Sequence, residues 1–309
     1  MNKKILLGLV ALTLVIPSTS HANVKNRTVS VPTLAILDTG LDTSVPSIKD
    51  KLVYEVCILE WTTCPNGQSF MEGPGSANIP SQSITKNGFS HGTQMASAAV
   101  STNPNMNIVF VRIIGQNING DRQITNEQTI YNALNWVYSN KDKFNIQAVS
   151  LSQGSHALAD SAIYCPSTPT TQKSITDLLS AGIPTFTAVG NNSDYKRIDW
   201  PSCIPQAVSV GAGSKNGIET YNNYDPALLD MYSVGQLKVY SPGNTLGFAS
   251  GSSIAAQTAA ANWIALKQFK PGLNINQLND LISAKSKTIT MGKRFPQTGK
   301  LFELNSALG

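Results

Sequence analysis

Three side chains have the chemistry for nucleophilic acyl transfer, and each lies at the end of a predicted element. Asp38 directly follows an apolar run over residues 34–37, His91 opens a helical pattern, and Ser253 lies where a glycine-containing turn leads into an alanine-rich segment. A carboxylate can orient an imidazole, and the imidazole can take a proton from a hydroxyl that attacks a carbonyl carbon. We therefore treat Asp38, His91 and Ser253 as candidates for support, general base and nucleophile.

Each candidate also has an ordinary structural interpretation. A serine before a helix is commonly an N-cap, and a lone histidine is more often structural than catalytic. The tripeptide Asp38-Thr39-Gly40 also occurs in aspartic proteases, but those enzymes share a proton between two carboxylates, and the chain has no second Asp-Thr-Gly or Asp-Ser-Gly. His156 lies in a polar loop and is not surrounded by a comparable helical pattern, which makes His91 the stronger candidate for a base.

Asn191 is a fourth polar candidate, within the sequence Gly190-Asn191-Asn192 at the end of another apolar run. Its side-chain amide could donate a hydrogen bond to an oxyanion, as acyl transfer requires. Taken alone, a Gly-Asn at the end of a strand is more often a turn. The role of Asn191 therefore depends on its neighbours in the fold.

The elements that would position these residues alternate between strand and helix. Continuous apolar runs predict strands buried on both faces, which is typical of a parallel sheet with crossover helices. We therefore predict an α/β fold, a doubly wound and mostly parallel sheet flanked by helices. The Pro-, Gly- and Ser-containing stretch 57–87 predicts a surface loop region. The predicted strands are 34–37, 108–114, 148–151, 185–189 and 207–210, and the predicted helices are 92–100, 126–140, 171–180, 254–268 and 275–286.

The composition argues against several classes of protein. Hydrophobic residues make up 41% of the chain and charged residues only 13%, which excludes a disordered chain. The net charge is +5 with no basic stripe, so nucleic acid is not an expected partner.

The N-terminus has the features of a secretory signal peptide over residues 1–22. Lys3 and Lys4 precede an apolar run over residues 5–16, and small residues lead to Ala22. The run is shorter than the ~20 residues that cross a bilayer, and no other segment is long and apolar enough, so no membrane partner is expected. The sequence predicts export, without separating secretion from periplasmic retention, and a single catalytic domain over residues 23–309.

Export would permit disulfides, and the chain has four cysteines. Four cysteines allow three pairings, and geometry could refute any of them. The simplest joins Cys57 to Cys64 and Cys165 to Cys203, because each pair encloses a short or moderate loop. Four unpaired, buried thiols are the alternative.

Taken together, the motifs resemble those of the subtilisin-like serine proteases, the subtilases of peptidase family S8. The order Asp, His, Ser along the chain is the order found in subtilisin. The resemblance extends from about residue 34 to the last helix, and it implies a subtilisin-like fold and a serine endopeptidase with polypeptide substrates. The motifs are Asp38-Thr39-Gly40, His91-Gly92-Thr93, Gly190-Asn191 and Gly251-Ser252-Ser253-Ile254-Ala255.

The resemblance also implies roles for further residues. Asn191 and the backbone N–H of Ser253 would hold the oxyanion. Ser152, Gln153 and Gly154 would form one wall of the primary substrate pocket, and Gly190 would belong to another. Similarity around Cys203 to a bacterial subtilase subgroup supports the Cys165–Cys203 pairing.

The chain departs from the usual family pattern at several positions. Ser252, Ile254 and Gln257 stand where the family usually has Thr, Met and Pro, and Ser47 stands where it often has an Asp that helps to bind calcium. No metal and no cofactor is therefore expected. Between the predicted signal peptide and the first strand there is no recognisable prodomain, so the protein would fold unaided, use a separate chaperone, or be restrained by a separate inhibitor.

Two alternatives remain open at this level. A sedolisin-type serine-carboxyl peptidase shares the fold but uses Glu in place of His, and the motif His91-Gly92-Thr93 argues against it. A non-catalytic, secreted binding protein on a subtilase scaffold is favoured by the altered helix after Ser253 and by the missing prodomain. The presence of all the triad residues and Asn191 argues for the enzyme.

Overall fold

A computed structural model describes residues 31–79, 81–84, 88–117, 119–123, 125–156, 165, 169–291 and 297–309. The predicted signal peptide, residues 1–22, lies outside the described residues. The strands are β1 (Thr33–Asp38), β2 (Leu52–Ile58), β3 (Phe70–Glu72), β4 (Asn107–Arg112), β5 (Ile146–Leu151), β6 (Thr185–Ala188), β7 (Val208–Ser214), β8 (Gly217–Ile218), β9 (Met231–Val234), β10 (Gln236–Ser241), β11 (Thr245–Ser250), β12 (Lys287–Thr290) and β13 (Thr298–Leu301). The helices are α1 (Pro46–Lys49), α2 (Ser81–Ile84), α3 (Ser90–Thr102), α4 (Glu127–Asn140), α5 (Pro169–Ser180), α6 (Ser252–Phe269), α7 (Ile275–Lys285) and α8 (Leu304–Leu308).

Most strands belong to one sheet with a parallel centre. Its order is β12-β13-β9-β7-β6-β5-β1-β4-β2-β3, with β8 paired to β7. The neighbours from β2 across to β9 pair in parallel, whereas β2–β3 and β12–β13 pair antiparallel. β10 and β11 form a separate antiparallel hairpin. The predicted doubly wound, mostly parallel α/β fold is therefore confirmed.

The central strand β1 shows why a continuous apolar run indicates a strand in this fold. All six of its residues are buried, because helices cover both faces of the sheet. Leu34 and Ile36 pack with residues of α3 and α6, whereas Ala35 and Leu37 pack with residues of α4 and α5 on the opposite face. The alternation of side chains along a strand thus divides the hydrophobic core into two layers.

Helix α6 is the long element that crosses beneath the strands β5, β6, β7 and β9. Its alanines at positions 255, 256, 259 and 260 are fully buried. Alanine brings no long side chain into the interface, so the helix backbone can lie close to the sheet at normal core density. The alanine-rich sequence after Ser253 therefore serves to dock the helix that carries this residue.

Helix α4 begins at an effective N-cap. The side chain of Asn126 accepts a hydrogen bond from the N–H of Thr129 at 2.8 Å, which satisfies one of the free donors of the first turn. Ile130, Leu134 and Val137 are buried on one face of the helix. The helical periodicity predicted for this segment is confirmed.

The described part of the stretch 57–87, residues 57–79 and 81–84, contains regular structure where the sequence predicts a surface loop. Cys57, Ile58 and Cys64 are at most 5% exposed, and β3 pairs with β2 within this stretch. Ala77 is buried and its carbonyl accepts a hydrogen bond from Leu41 N at 3.1 Å. The disulfide between Cys57 and Cys64 and hydrogen bonds to distant segments stabilise a region whose Gly and Pro content predicts irregular structure.

The predicted strands and helices overlap β1, β4, β5, β6, β7, α3, α4, α5, α6 and α7, but β2 is one of the strands that the sequence did not reveal. It contains Glu55, so it does not read as a continuous apolar run. Glu55 is nevertheless only 7% exposed, and its carboxylate accepts the N–H groups of Gly75 at 3.2 Å and Ala77 at 3.3 Å. Burial raises the pKa of Glu55, and these two hydrogen bonds oppose the shift.

Both predicted disulfides are present. Cys57 pairs with Cys64 across a Cα–Cα distance of 5.9 Å, and Cys165 pairs with Cys203 across 5.7 Å. These separations lie in the usual range for a disulfide. All four cysteines are therefore accounted for, and the alternative of unpaired thiols is wrong.

Gly92 marks the closest approach of α3 to the end of β1. A Cβ atom at this position would overlap the carbonyl oxygen of Gly40 and lie 2.8 Å from Phe110 Cζ. Gly92→Ala should therefore lower the free energy of unfolding by about 1–3 kcal/mol, as overpacked sites do, which urea denaturation would measure. Gly272→Ala is the matched control, because a Cβ there meets nothing within 4 Å. Equal stabilities of the two variants would contradict the close approach.

Candidate active site

The candidate residues gather where the strand order reverses. β1 pairs with β4 on one side and with β5 on the other. Beyond β4 lie β2 and β3, and beyond β5 lie β6, β7 and β9. In open α/β sheets this reversal leaves a crevice at the carboxyl ends of the strands. Asp38 ends β1, and Ser152, Gln153 and Gly154 directly follow β5. Two sets of predicted site residues therefore meet at one edge of the sheet.

A buried carboxylate and a partly exposed imidazole form the centre of this site. Asp38 Oδ1 lies 2.7 Å from His91 Nδ1, with the Asp38 side chain fully buried and the His91 side chain 23% exposed. The N–H of Thr39 donates to the same oxygen at 2.7 Å. Burial alone would raise the pKa of Asp38, but the charge and hydrogen bond of His91, together with Thr39 N–H, hold this pKa below its ordinary value. Asp38 is therefore an ionised acceptor for the imidazole.

Helix α3, which carries His91, is capped by the loop that follows β1. The helix has no side-chain cap of its own. Thr39 Oγ1 accepts the N–H of Gly92 at 2.9 Å and donates to the carbonyl of Phe89 at 3.1 Å. A second hydroxyl, Thr93 Oγ1, accepts the N–H of Asp42 at 3.0 Å. These bonds fix the first turn of α3, and hence His91, against the strand that carries Asp38.

Gln153 makes a contact that the sequence did not predict. Its Nε2 donates to Asp38 Oδ1 at 3.0 Å and lies 3.0 Å from His91 Nδ1. Arg122 Nη2 donates to Gln153 Oε1, which turns the amide nitrogen towards Asp38. Gln153 is only 2% exposed, and its side chain points to the Asp38 carboxylate. Only the backbone of Gln153 could therefore belong to the predicted pocket wall. A polar residue directly after a buried strand was the one available sequence signal.

Ser253 is the second residue of α6, behind the turn at Gly251. Its carbonyl accepts the hydroxyl of Ser152 at 3.4 Å, and Gln257 Nε2 donates to the same hydroxyl at 3.4 Å. The helix continues unbroken through Gln257, so this residue adds a buried side-chain link where the family usually has a proline.

Ser253 is linked to the Asp38–His91 pair through two neighbouring residues. Ser152 contacts Ser253, and Gln153 contacts both Asp38 and His91. Among the described residues, no hydrogen bond joins Ser253 Oγ to the His91 ring. The structure thus brings Asp38 and His91 into direct contact and places Ser253 in the same network through β5.

Asn191 lies against the turn that precedes Ser253. Its Oδ1 accepts the N–H of Ser252 at 2.9 Å, and the N–H of Gly190 donates to Ser252 Oγ at 3.1 Å. Because Oδ1 is engaged in this way, the two hydrogens of Asn191 Nδ2 point elsewhere and can serve another acceptor. Gly190 has a φ of +99°, in the region that favours glycine, which lets the chain turn here.

The two predicted pocket walls are joined by residues 199–200. Ser155 and Trp200 exchange backbone hydrogen bonds of 2.9 and 3.1 Å, and the N–H of Asp199 donates to the carbonyl of Val189 at 2.9 Å. His156 Nδ1 lies 2.7 Å from Asp199 Oδ1, so this histidine has a partner that the sequence did not reveal. In the described part of the chain, no group of three or more His, Cys, Asp or Glu side chains is arranged to hold a metal ion.

Comparisons with known proteins place the chain in a family. The sequence model of the subtilase family matches residues 30–303. Similar solved structures include a protease from Pseudoalteromonas arctica, with 18% identity, a TM-score of 0.70 and coverage of 90% of this chain and 89% of that one. A cold-adapted subtilisin-like serine proteinase has 19% identity and a TM-score of 0.63, with 87% of each chain covered.

The epidermin leader peptide processing serine protease of Staphylococcus aureus has 14% identity and a TM-score of 0.69, with coverage of 90% of this chain and 74% of that one. At these identities the structural likeness concerns the fold alone. The family match is independent of them and spans all four candidate residues, Asp38, His91, Asn191 and Ser253. The chain belongs to the subtilase family.

Proposed function

We propose that the protein is an exported serine endopeptidase that hydrolyses peptide bonds through an acyl-enzyme on Ser253. The observation that carries this proposal is the 2.7 Å contact between the buried Asp38 carboxylate and His91, in one network with the turn that holds Ser253. Family membership supports protease chemistry in general. The geometry of individual residues supports the roles proposed for them below.

His91 is the general base in this proposal. With its Nδ1–H donated to Asp38, the lone pair of Nε2 is available to take the Ser253 hydroxyl proton as Oγ attacks the peptide carbonyl carbon. The imidazolium then gives this proton to the leaving amine, and Asp38 stabilises its charge. Water, activated by the same base, hydrolyses the resulting ester and restores the free hydroxyl.

The oxyanion of the tetrahedral intermediate would be held by Asn191 Nδ2 and by the backbone N–H of Ser253. The hydrogen bond from Ser252 N–H to Asn191 Oδ1, at 2.9 Å, orients the amide before substrate binds. The N–H of Ser253 lies in the first turn of α6, where backbone donors are free and the helix dipole favours negative charge.

Gln153 is a positioning residue for the base. Its amide donates to Asp38 Oδ1, which also accepts from Thr39 and His91. A carboxylate oxygen with fixed donors cannot rotate away from the imidazole without losing them. Arg122 in turn fixes the amide, so the support extends to the surface of the protein.

Export is the second part of the proposal. Residues 1–22 have the pattern of a signal peptide, and disulfides are typical of oxidising compartments. In the described part of the chain, no helix has the length and apolar character needed to cross a membrane. Polypeptides are the substrates, and a separate inhibitor or folding chaperone would be the partner that restrains or assists the enzyme.

The direct test is labelling of the purified mature protein with a fluorophosphonate serine-hydrolase probe. We expect the wild-type protein to be labelled, and Ser253→Ala and His91→Ala to lose labelling, because the reaction needs the hydroxyl and its base. A folded wild-type protein that is not labelled would contradict the proposal and favour the non-catalytic binding protein.

Asn191→Ala should lower kcat by about 10²–10³, the magnitude measured for the loss of such a donor in subtilisin itself, with a much smaller change in KM. Hydrolysis of a fluorogenic peptide would measure both constants. Asn192→Ala, at the exposed neighbouring position, is the control and should leave kcat unchanged. Equal kcat values for the two variants would remove Asn191 from the oxyanion site.

Gln153→Leu should lower kcat by about ten- to a hundredfold and leave KM nearly unchanged, because a hydrogen bond to the charged Asp38 is lost. Steady-state kinetics on the same peptide would test this. Gln172→Leu is the matched control, since Gln172 bonds to Gln206 on a different element. A rise in KM at constant kcat would instead place the Gln153 side chain in the substrate pocket.

A further inference from the structure

A second group of polar and charged side chains lies outside the Asp38–His91 pair and has no role in the mechanism above. It contains His156, Asp199 and Asn223, with Asp194 beside them. Asp199 Oδ1 lies 2.7 Å from His156 Nδ1 and accepts Asn223 Nδ2 at 2.7 Å. His156 Nε2 lies 3.7 Å from Asp194 Oδ2.

Asp199 lies immediately beside the backbone of Gly190. A Cβ atom at Gly190 would overlap Asp199 Oδ2 and lie 2.5 Å from Asp199 Cγ. The backbone of Asp199 is tied to Val189, and the adjacent Trp200 is tied to Ser155. The carboxylate therefore closes the space between the segment after β5 and the segment after β6.

With a neutral imidazole at His156, the charges of the described residues in this group do not cancel. Asp194 Oδ2 is paired with Arg197, whose Nη2 lies 2.6 Å and Nε 2.9 Å away. Asp199 has no fixed Lys or Arg partner among the described residues, and when the imidazole of His156 is neutral, one negative charge remains. Asp199 Oδ2 forms no hydrogen bond within the described part of the chain.

The environment of Asp199 makes this charge costly. Its side chain is only 17% exposed. Burial raises the pKa of Asp199, and the hydrogen bonds and charge of His156, with the hydrogen bond of Asn223, oppose that shift. A desolvated carboxylate of this kind gains most from a cation that arrives with its own donors.

The position of the carboxylate indicates which substrate residue would supply the cation. In the proposed reaction, Asn191 holds the oxygen of the carbonyl that Ser253 attacks, and this carbonyl belongs to the residue just before the scissile bond. The side chain of that residue leaves the backbone next to this carbonyl. In this proposal it extends between the two predicted pocket walls, beside Gly190, where Asp199 lies.

We propose that Asp199 selects substrates that carry Lys or Arg at the residue before the scissile bond, a specificity that rests on the proposed peptidase function. His156 and Asn223 hold Asp199 Oδ1 in place, which leaves Oδ2 to accept from the substrate ammonium or guanidinium. Gly190 leaves room for the carboxylate to lie against the backbone, because a Cβ atom at this position would overlap Asp199 Oδ2.

The first test uses the wild-type protein and peptide pairs that differ at this one residue. Arginine is compared with citrulline, which has nearly the same shape but no charge, and lysine with norleucine. We expect kcat/KM to be at least about tenfold higher for each charged member, as for a hydrogen bond to a charged group. Equal values, or a preference for the neutral member, in a protein that the fluorophosphonate probe labels would overturn the specificity while leaving the peptidase function intact.

Asp199→Asn keeps the shape of the side chain and removes its charge, so the ratio for arginine over citrulline should fall towards one. Fluorophosphonate labelling of Ser253 reports whether this variant still folds. Asp177→Asn, at an exposed position of α5, is the matched control and should keep the ratio of the wild type. An unchanged ratio in Asp199→Asn would overturn the proposal.

Binding to Ser253→Ala separates this proposal from the proposed activity. Fluorescence anisotropy with arginine and citrulline peptides should show the same order of affinity without any turnover. Tighter binding of arginine by Ser253→Ala, together with a folded wild-type protein that the probe does not label, would retain the cation site and reject the peptidase. Equal binding of the two peptides would reject the cation site.

Discussion

The arrangement of the site depends on one buried anion, the carboxylate of Asp38. It is fully buried, and its Oδ1 accepts from His91, Thr39 and Gln153, whereas Oδ2 is buried without a hydrogen bond among the described residues. A charge in such a place is tolerated only because donors are fixed around it. These donors come from three parts of the chain, namely the end of β1, the start of α3 and the segment after β5. The negative charge of Asp38 can therefore be kept in this buried position only if the sheet edge folds correctly.

Ser253, the proposed nucleophile, is held to the same edge by neutral hydrogen bonds. Asn191 binds the N–H of Ser252, and Ser152 binds the carbonyl of Ser253. Behind these contacts, the buried alanines of α6 allow the helix to lie close under the strands. Small residues and short polar side chains thus serve one purpose. They bring together the backbone segments that carry the proposed reacting groups.

The sequence predicted the elements whose signals are local. Residues 34–37 form a continuous apolar run with Asp38 at its end, and the structure has β1 ending there. The pairing of Cys165 with Cys203 was also predicted and is present. What the sequence did not reveal depends on partners far along the chain. Gln153 bonds to Asp38, and Glu55 is a buried charge in β2 because backbone N–H groups from a later loop satisfy it. No motif around His156 indicated a partner, because Asp199 is distant along the chain and comes close to His156 only in the folded protein.

The central claim is that Asp38, His91, Asn191 and Ser253 form one assembled centre for acyl transfer. The most direct measurement is a crystal structure of the mature protein after reaction with a peptidyl phosphonate. We expect a covalent bond from Ser253 Oγ to phosphorus, one phosphoryl oxygen within hydrogen-bonding distance of Asn191 Nδ2 and Ser253 N–H, and His91 Nε2 next to Ser253 Oγ. An unmodified Ser253 in a folded protein, or an adduct whose oxygen points away from Asn191, would contradict it.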